Sequence, residues 1–431
     1  MSKAFRKFLI LWFGQLLASI GHGLTNFSLA VYVFNLSHQA LDSSLVMLFG
    51  FLPSVLLSLP AGVLADKYDR RLLMILGDGL SVLGLLIILL AKLQGNATLW
   101  VILLGVTVSS VFSSLMQPAF MATLSDLLPK EEYTKATGMV QIANSAHYLI
   151  APFLAGILLD SYGLELILVL DISTLLITVL VTSYVRKGLP SRALDEELKG
   201  KIELMSAWKV LKEQKGVFIL TLIASALTFF MGFIQNLSNP FFLSFSNAQV
   251  LGRVMSLSSL GMLVSGLLVS SLAIKSQFVN KLVMGLVAAG FFMMAFPMTE
   301  NFYLISLAGF LFFATLPVIN ACLDYLMRTN IDNQYQGRVF SYIGFISQMG
   351  FVFAYIISGL LADYFFTPAF MEGGILADSF GRLIGVGPSR GLAFEIIVAG
   401  LFLSLTALFL SGNQSVRMLE PVNDEEGQHY D

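Results

Sequence analysis

The fold class predicted by the sequence is all-α integral membrane, with twelve transmembrane helices in two six-helix halves. Three observations carry it. Of the 431 residues, 56% are hydrophobic and only 12% charged, and the mean hydropathy is +0.81; soluble domains carry about 25% charged residues. The chain falls into twelve apolar stretches, and about 20 residues rising ~1.5 Å each cross a bilayer core. With alternating crossings, 21 of the 25 lysines and arginines lie on one side. Cytoplasmic loops carry such an excess, and a wrong helix number would scramble it. Both termini are therefore expected in the cytoplasm, and the chain in the cell membrane.

The stretches run 8–34, 44–65, 72–93, 99–124, 138–160, 164–185, 217–243, 248–274, 282–299, 302–327, 339–362 and 391–411. The first follows Lys3, Arg6 and Lys7 but is too long for a signal-peptide core, so it reads as an uncleaved helix. Residues 62–71 join spans two and three and hold five charged side chains in ten residues. They cannot lie in hydrocarbon and form a tight surface loop. The eighth span is the least regular, because Arg253 and several serines interrupt it.

The longest polar interruption, 186–216, divides the chain into halves 1–185 and 217–412. Within it Leu194, Leu198, Ile202, Met205, Trp208 and Leu211 recur at helical spacing. An amphipathic helix on the cytoplasmic membrane face is one reading, a solvated linker the other. Residues 413–431 form an acidic tail expected to be disordered. The halves repeat each other. Pro118 precedes Gly138 by twenty residues, as Pro317 precedes Gly337, and the spans that follow end in Gly156-Ile157-Leu158-Leu159-Asp160 and Gly359-Leu360-Leu361-Ala362-Asp363. A six-plus-six repeat with both termini inside relates the halves by an axis along the membrane normal.

Several function classes are excluded. A net charge of −2 argues against a nucleic-acid partner. No G-x-x-x-x-G-K-S/T loop is present, so ATP is not the direct energy source. The four histidines form no metal-spaced cluster, and the single cysteine, Cys322, reads as a small buried apolar residue. No cofactor, metal or enzyme activity is expected.

Twelve spans, a central loop and the 62–71 segment together resemble the major facilitator superfamily. That family's signature between spans two and three reads G-x-L-A-D-R/K-x-G-R-R/K. Gly62, Leu64, Ala65, Asp66, Lys67, Arg70 and Arg71 match it, with Asp69 in place of the usual Gly. The second-half copy, Gly266 to Lys281, keeps only its Gly and Lys. Antiporters of the family carry G-x8-G-x3-G-P-x2-G-G in span five; here Gly138, His147, Ala151, Pro152, Ala155 and Gly156 stand at those offsets. The runs Trp12–Gln15, Tyr68–Arg71, Gly337–Ser341 and Ile384–Gly391 are similar to a bacterial exporter group that includes macrolide-efflux proteins and the enterobactin exporter. One departure stands out. Many proton-coupled drug exporters carry an Arg in span four, and residues 99–124 hold no charge.

The resemblance implies a conformational latch built from Gly62, Asp66, Arg70, Arg71, Asp126, Gly337 and Arg338. Asp66 would meet the positive end of span eleven beside Gly337, and Arg70 would pair with Asp126. These contacts would hold the halves together in the outward-facing state and break as the cavity opens inward.

Ionisable residues inside spans are costly and mark function by default. Asp171 in span six, Glu395 in span twelve, Asp78 in span three and His147 in span five are the proton-coupling candidates. Each has a structural alternative: a hydrogen bond to a neighbouring helix for Asp171, interfacial water for Glu395, a loop Arg for Asp78, and a hydrogen-bonded structural role for His147. Gln15, His22, Asn26, Asn144, Gln235, Asn236 and Gln348 are candidates to line a central cavity among Phe and Met side chains suited to amphipathic solutes.

The expected function is export of a small amphipathic, drug- or macrolide-like compound by alternating access in exchange for protons. The partners expected are that substrate, protons and membrane lipid, and the chain is expected to act as a monomer. A siderophore or lysophospholipid cargo is the first alternative. A transporter-like sensor that moves nothing is the second.

Overall fold

The structure is a computed structural model that describes residues 3–186, 204–272 and 276–420, with a few side chains in those ranges, Asp66 and Asn144 among them, outside the description. Among the described residues every regular element is helical. In chain order they are α1 (Lys3–Ser37), α2 (Ala40–Lys67), α3 (Arg70–Leu93), α4 (Leu99–Ser113), α5 (Met116–Leu127), α6 (Tyr133–Leu149), α7 (Ala151–Arg186) and α8 (Leu204–Glu213). The second half adds α9 (Lys215–Leu243), α10 (Ala248–Leu272), α11 (Phe278–Ala295), α12 (Phe302–Thr329), α13 (Asn333–Leu361), α14 (Thr367–Phe370), α15 (Gly381–Ile384), α16 (Pro388–Ser411) and α17 (Gln414–Arg417).

Among the described residues eleven helical segments are long and apolar enough to cross a membrane, and one of them, Lys135–Arg186, turns back at Gly163 and so crosses twice. The turn within it is made at Gly163, whose φ of 79° is open to glycine at no steric cost. That yields the twelve crossings. Span four is α4 plus α5, parted at Ser114 and Leu115, because the ring of Pro118 has no room over the carbonyl of Ser114 in a continuous helix. Span five is α6 plus the first part of α7. In the second half α12 runs unbroken through Pro317, so the repeat is not exact in backbone.

Each half packs as a bundle: α1 and α3 lie against α7, and α3 against α4; α10 lies against α12, α11 against α16, and α9 against α13. Two helix pairs form the seam between the halves, α7 with α10 and α2 with α13. They are the same pair under the repeat, spans five and eight beside spans two and eleven. Without a hydrophobic drive between helices in lipid, such seams depend on close backbone approach. At α7–α10 this is made by Gly156, where a Cβ would stand 2.6 Å from the carbonyl of Ala248, and by Gly252, where a Cβ would run into the carbonyl of Pro152.

Two expectations need correction. Span nine begins at Phe278, four residues before the expected Lys-flanked start at 282, because Glu420 caps it: its carboxylate accepts from the amides of Phe278 and, at 2.9 Å, Val279. The first residues of the tail, expected to be disordered, are accordingly ordered as far as Glu420, through α17 and a bond from Asn330 Nδ2 to the Leu419 carbonyl; 421–431 lie outside the described residues. The described part of the linker, α8, buries Leu211 and sets Trp208 edge-on to Phe218 and tilted against Tyr342 of the second half. Leu194, Leu198 and Ile202 fall outside the described residues.

Candidate functional site

A cavity of about 670 Å³ lies between the halves, at mid-depth. Its polar lining comes from His22 and Asn26 on α1, Ser54 and Ser58 on α2, and Ser110, Ser113, Ser114 and Gln117 on span four. His147 and Tyr148 on α6, Gln235 and Asn239 on α9, and Tyr355 on α13 complete it. Phe27, Phe51, Phe351, Met47, Met121 and Met255 form the apolar walls. Among the described lining residues none is Asp, Glu, Lys or Arg. Aromatic and thioether walls with scattered neutral hydrogen-bond groups suit an amphipathic solute that carries no fixed strong charge.

The cavity is open at one end. Toward the face where α2 ends and α13 begins, a vestibule of about 280 Å³ follows, lined by Ser54, Ser58, Ser341, Gly344, Phe345 and Gln348. At that face Gly62, Gly138 and Gly337 meet open space, and Arg338 is exposed. Toward the opposite face the halves touch. Asn236 donates to Ser44 and, at 2.8 Å, to Ser358, and Asp363 bonds the first turn of α2.

Local sequence explains the α1–α7 wall. Gly21, His22 and Gly23 let α1 press between spans five and six. A Cβ at Gly21 would stand 2.9 Å from Asp171 Oδ1, and one at Gly23 would stand 3.0 Å from His147 Nδ1. His22 and His147 face each other across 6.3 Å between ring centroids, and His147 Nδ1 lies 3.2 Å from the Ser19 carbonyl. Three residues along α1, Thr25 donates its hydroxyl to Asp171 Oδ2 at 2.6 Å. Asp171 is fully buried and its Oδ1 has no partner. Asp78, 3% exposed, sits beside Thr178 and within electrostatic reach of Asp171; its Oδ2 is also unpartnered. Two cavity histidines and two buried carboxylates thus occupy the two sides of one stretch of α1.

The break in span five is chemically matched. Pro152 has no N–H to give the carbonyl of Tyr148, four residues earlier. Ser259 Oγ, from α10 of the other half, donates to that carbonyl at 3.1 Å. Ala151 and Ala155 are fully buried; Ala151 meets Gly23 of α1, and Gly156 packs on α10 at the seam.

The remaining sequence candidates separate. Glu395 is buried on α16 with both oxygens unpartnered. It lies near Asp363 and apart from the Asp78–Asp171 group. Asp78 was given a loop Arg as its alternative partner; it faces Thr178 and Asp171 instead. Asn236 does not line the cavity, because it lies 100° around the helix from Gln235 and bonds across the seam; Asn239, one turn from Gln235, takes the cavity position. Gln15 is also absent from the lining, and Gln348 lines the vestibule.

In the 62–71 loop, Arg70 Nη1 meets Asp126 Oδ1 at 2.6 Å and the Ala122 carbonyl at 3.1 Å, while Nε reaches the Ala65 carbonyl at 3.3 Å. All of these partners belong to the first half. The Arg70–Asp126 pair is therefore made while the cavity is open at this face, and it ties α2, α3 and α5 into one corner. Arg71 is buried at 6% exposure. Asp69, where the family pattern has Gly, is the N-cap of α3: Oδ1 accepts from the amides of Arg71 and Leu72, and Oδ2 accepts from Arg186 Nε at 2.9 Å. Burial pushes its carboxyl up, but Arg186 and the two amides outweigh this and hold it below the usual carboxylate range.

The family model described as Major Facilitator Superfamily matches residues 11–355. The chain belongs to the major facilitator superfamily. Among curated relatives, Macrolide efflux protein A of Streptococcus pyogenes is 26% identical over 372 residues, covering 83% of this chain and 89% of that protein. The multidrug efflux pump Tap of Mycolicibacterium fortuitum is 26% identical over 383 residues, covering 82% and 89%. Among solved structures, a bacterial homolog of the human lysosomal transporter Spinster, in an inward-facing and occupied conformation, superposes with a TM-score of 0.73 at 14% identity, covering 97% of this chain and 98% of that one. This superfamily member is thus a multi-pass protein of the cell membrane with efflux transporters among its relatives.

Proposed function

We propose that this superfamily member exports a small amphipathic compound, of the kind the macrolide and multidrug relatives are named for, from the cytoplasm in exchange for protons. The observation that carries the reading is the inter-half cavity, neutral and aromatic, open at one face and closed at the other. The excess of Lys and Arg supports placing the open face in the cytoplasm. The state is then inward-open, ready to take cargo from the cell interior, and rocking of the halves about the α2–α13 and α7–α10 seams exposes the same site outside.

Protons are assigned to the first half. His22 and His147 touch the cavity, and Asp171 and Asp78 lie behind α1, out of water. A charged carboxylate in such a site is costly, so a proton arriving there changes the packing energy of α1 against α7, the wall that carries the histidines. In this reading Asp66 closes the cytoplasmic face by meeting the first turn of α13 beside Gly337 and Arg338, and the Arg70–Asp126 corner holds the loop rigid in both states.

The test is uptake into everted membrane vesicles from cells making the protein. With an acid interior, vesicles should accumulate a macrolide or an uncharged amphipathic dye against its gradient, and dissipating the pH gradient should release it. Absence of accumulation across a chemically varied panel contradicts export.

One observation favours a second cargo class. A groove of about 450 Å³ at the α7–α10 seam is walled by Leu149, Ile150, Phe153, Leu257, Leu260 and Phe302 and carries Arg253 beside Ser256. A lysophospholipid-like molecule, with one chain and an anionic head, matches that chemistry. Lipid profiling of a deletion strain separates it from a drug cargo.

A further inference from the structure

The pentad G-x-L-A-D closes two helices, as Gly62-Val63-Leu64-Ala65-Asp66 at the end of α2 and as Gly359-Leu360-Leu361-Ala362-Asp363 at the end of span eleven; its third copy, Gly374-Ile375-Leu376-Ala377-Asp378, lies between α14 and α15. The helices that carry it are partners. α2 and α13 belong to different halves, pack against each other through Leu48, Val55, Val352 and Tyr355, and run in opposite directions. Each helix-closing pentad therefore lies beside the first turn of the other helix, at opposite faces of the protein.

At the face away from the vestibule this juxtaposition is a bond. Asp363 Oδ1 accepts from the amide of Ala40 at 3.0 Å and Oδ2 from that of Leu41 at 2.8 Å. The first amides of a helix have no partner within it, and a carboxylate there gains both from hydrogen bonding and from the helix dipole. α2 has no side-chain cap of its own, since Gln39 supplies none. The carboxylate is brought into place by a π-helical turn, Ala362–Phe366, and by Gly359, where any side chain would strike Ser44 and Leu41. Asp42, in the first turn of α2, and Glu395, from α16, are the other acidic groups within electrostatic reach of Asp363. The related seam is built differently. Span five ends in Asp160, which is exposed, and the first turn of α10 is bonded by its own Asn247.

We propose that Asp363 is the latch of the outer end of the cavity: a carboxylate of one half capping a helix of the other, made in the inward-open state and released when the halves rock. It mirrors the role given to Asp66 at the cytoplasmic face and rests on that alternating-access reading. The two ends of one helix pair then carry the same device, and only one of the two caps is made at a time.

The test uses the full chain in lipid nanodiscs, with spin labels placed in pairs. Gln39→Cys with Glu372→Cys reports the outer face, and Glu131→Cys with Ser341→Cys the cytoplasmic face; all four sites are exposed, and the native Cys322 is buried. Asp363→Ala should lengthen the outer distance and shorten the cytoplasmic one together, moving the equilibrium about tenfold, or ~1.4 kcal/mol. Asp363→Asn, which keeps one acceptor, should move it less and in the same direction. Asp66→Asn should move it the opposite way. Unchanged distances in both Asp363 variants overturn the latch, as does a longer outer distance with no change at the cytoplasmic face, which is local fraying of α2. If Asp363→Ala acts and Asp66→Asn is silent, the outer latch stands and the cytoplasmic one falls.

Discussion

Thr25 donates its hydroxyl to Asp171 Oδ2 at 2.6 Å, one turn along α1 from the cavity residue His22. A helix that carries a cavity histidine thus holds a buried carboxylate one turn away. Whatever changes the charge of Asp171 acts on the wall that the cargo touches.

Asp171→Asn keeps the size and the Thr25 hydrogen bond but cannot take up or release a proton. Uphill export should fall at least about tenfold, while affinity for the cargo changes little, since removing coupling need not remove binding. Equilibrium binding on purified protein beside vesicle transport checks this. Parallel losses of binding and transport would make Asp171 a structural residue.

Gly252 offers a steric probe of the seam. A leucine there would run into the Pro152 carbonyl, so α7 and α10 could not close at the outer face. Gly252→Leu should populate the outward-open state, with transport lost and outer-face thiol labelling increased. If labelling is unchanged and the protein is merely unstable, overpacking of about 1–3 kcal/mol is the explanation.

Asp69 gives a pH-dependent stability. Its carboxyl is held below its ordinary value in the folded chain. Its contribution is therefore present above the unfolded value, near pH 4, and is lost as pH falls through the folded one. Asp69→Ala removes a helix cap worth about 1 kcal/mol. Thermal melting in detergent should show a lower midpoint for the variant at pH 7, and the difference should shrink in acid. Asp69→Gly, the family residue, should cost less, because glycine is tolerated at this position.

The span count, the polar linker and the position of the charged loop were legible because hydrocarbon forbids unpaired charge, and hydropathy reads that directly. Asp171 and His147 stood out for the same reason. The cavity face was not legible. A helix that is apolar all round has no polar side to mark inward, so Asn236 was assigned to the cavity that Asn239 lines, and Ser54, Ser58, Ser110, Ser113 and Ser114 passed unnoticed. Serines in membrane helices ordinarily bond a carbonyl of the preceding turn, as Ser54 does to Phe51, which hides them among structural residues. Caps supplied from far along the chain were equally hidden: Glu420 on α11 moves the start of span nine by four residues. The cap role of Asp69 has a local signal, an Asp just before a helix, which the family pattern, with Gly at that position, obscures.

Proton release on adding cargo tests the central claim most directly. Purified protein in liposomes with a pH-sensitive dye inside and a defined pH gradient should move protons when a transported macrolide or dye is added, and Asp171→Asn liposomes should not. Cargo movement without proton movement in the wild type, or equal proton movement in Asp171→Asn, would contradict it.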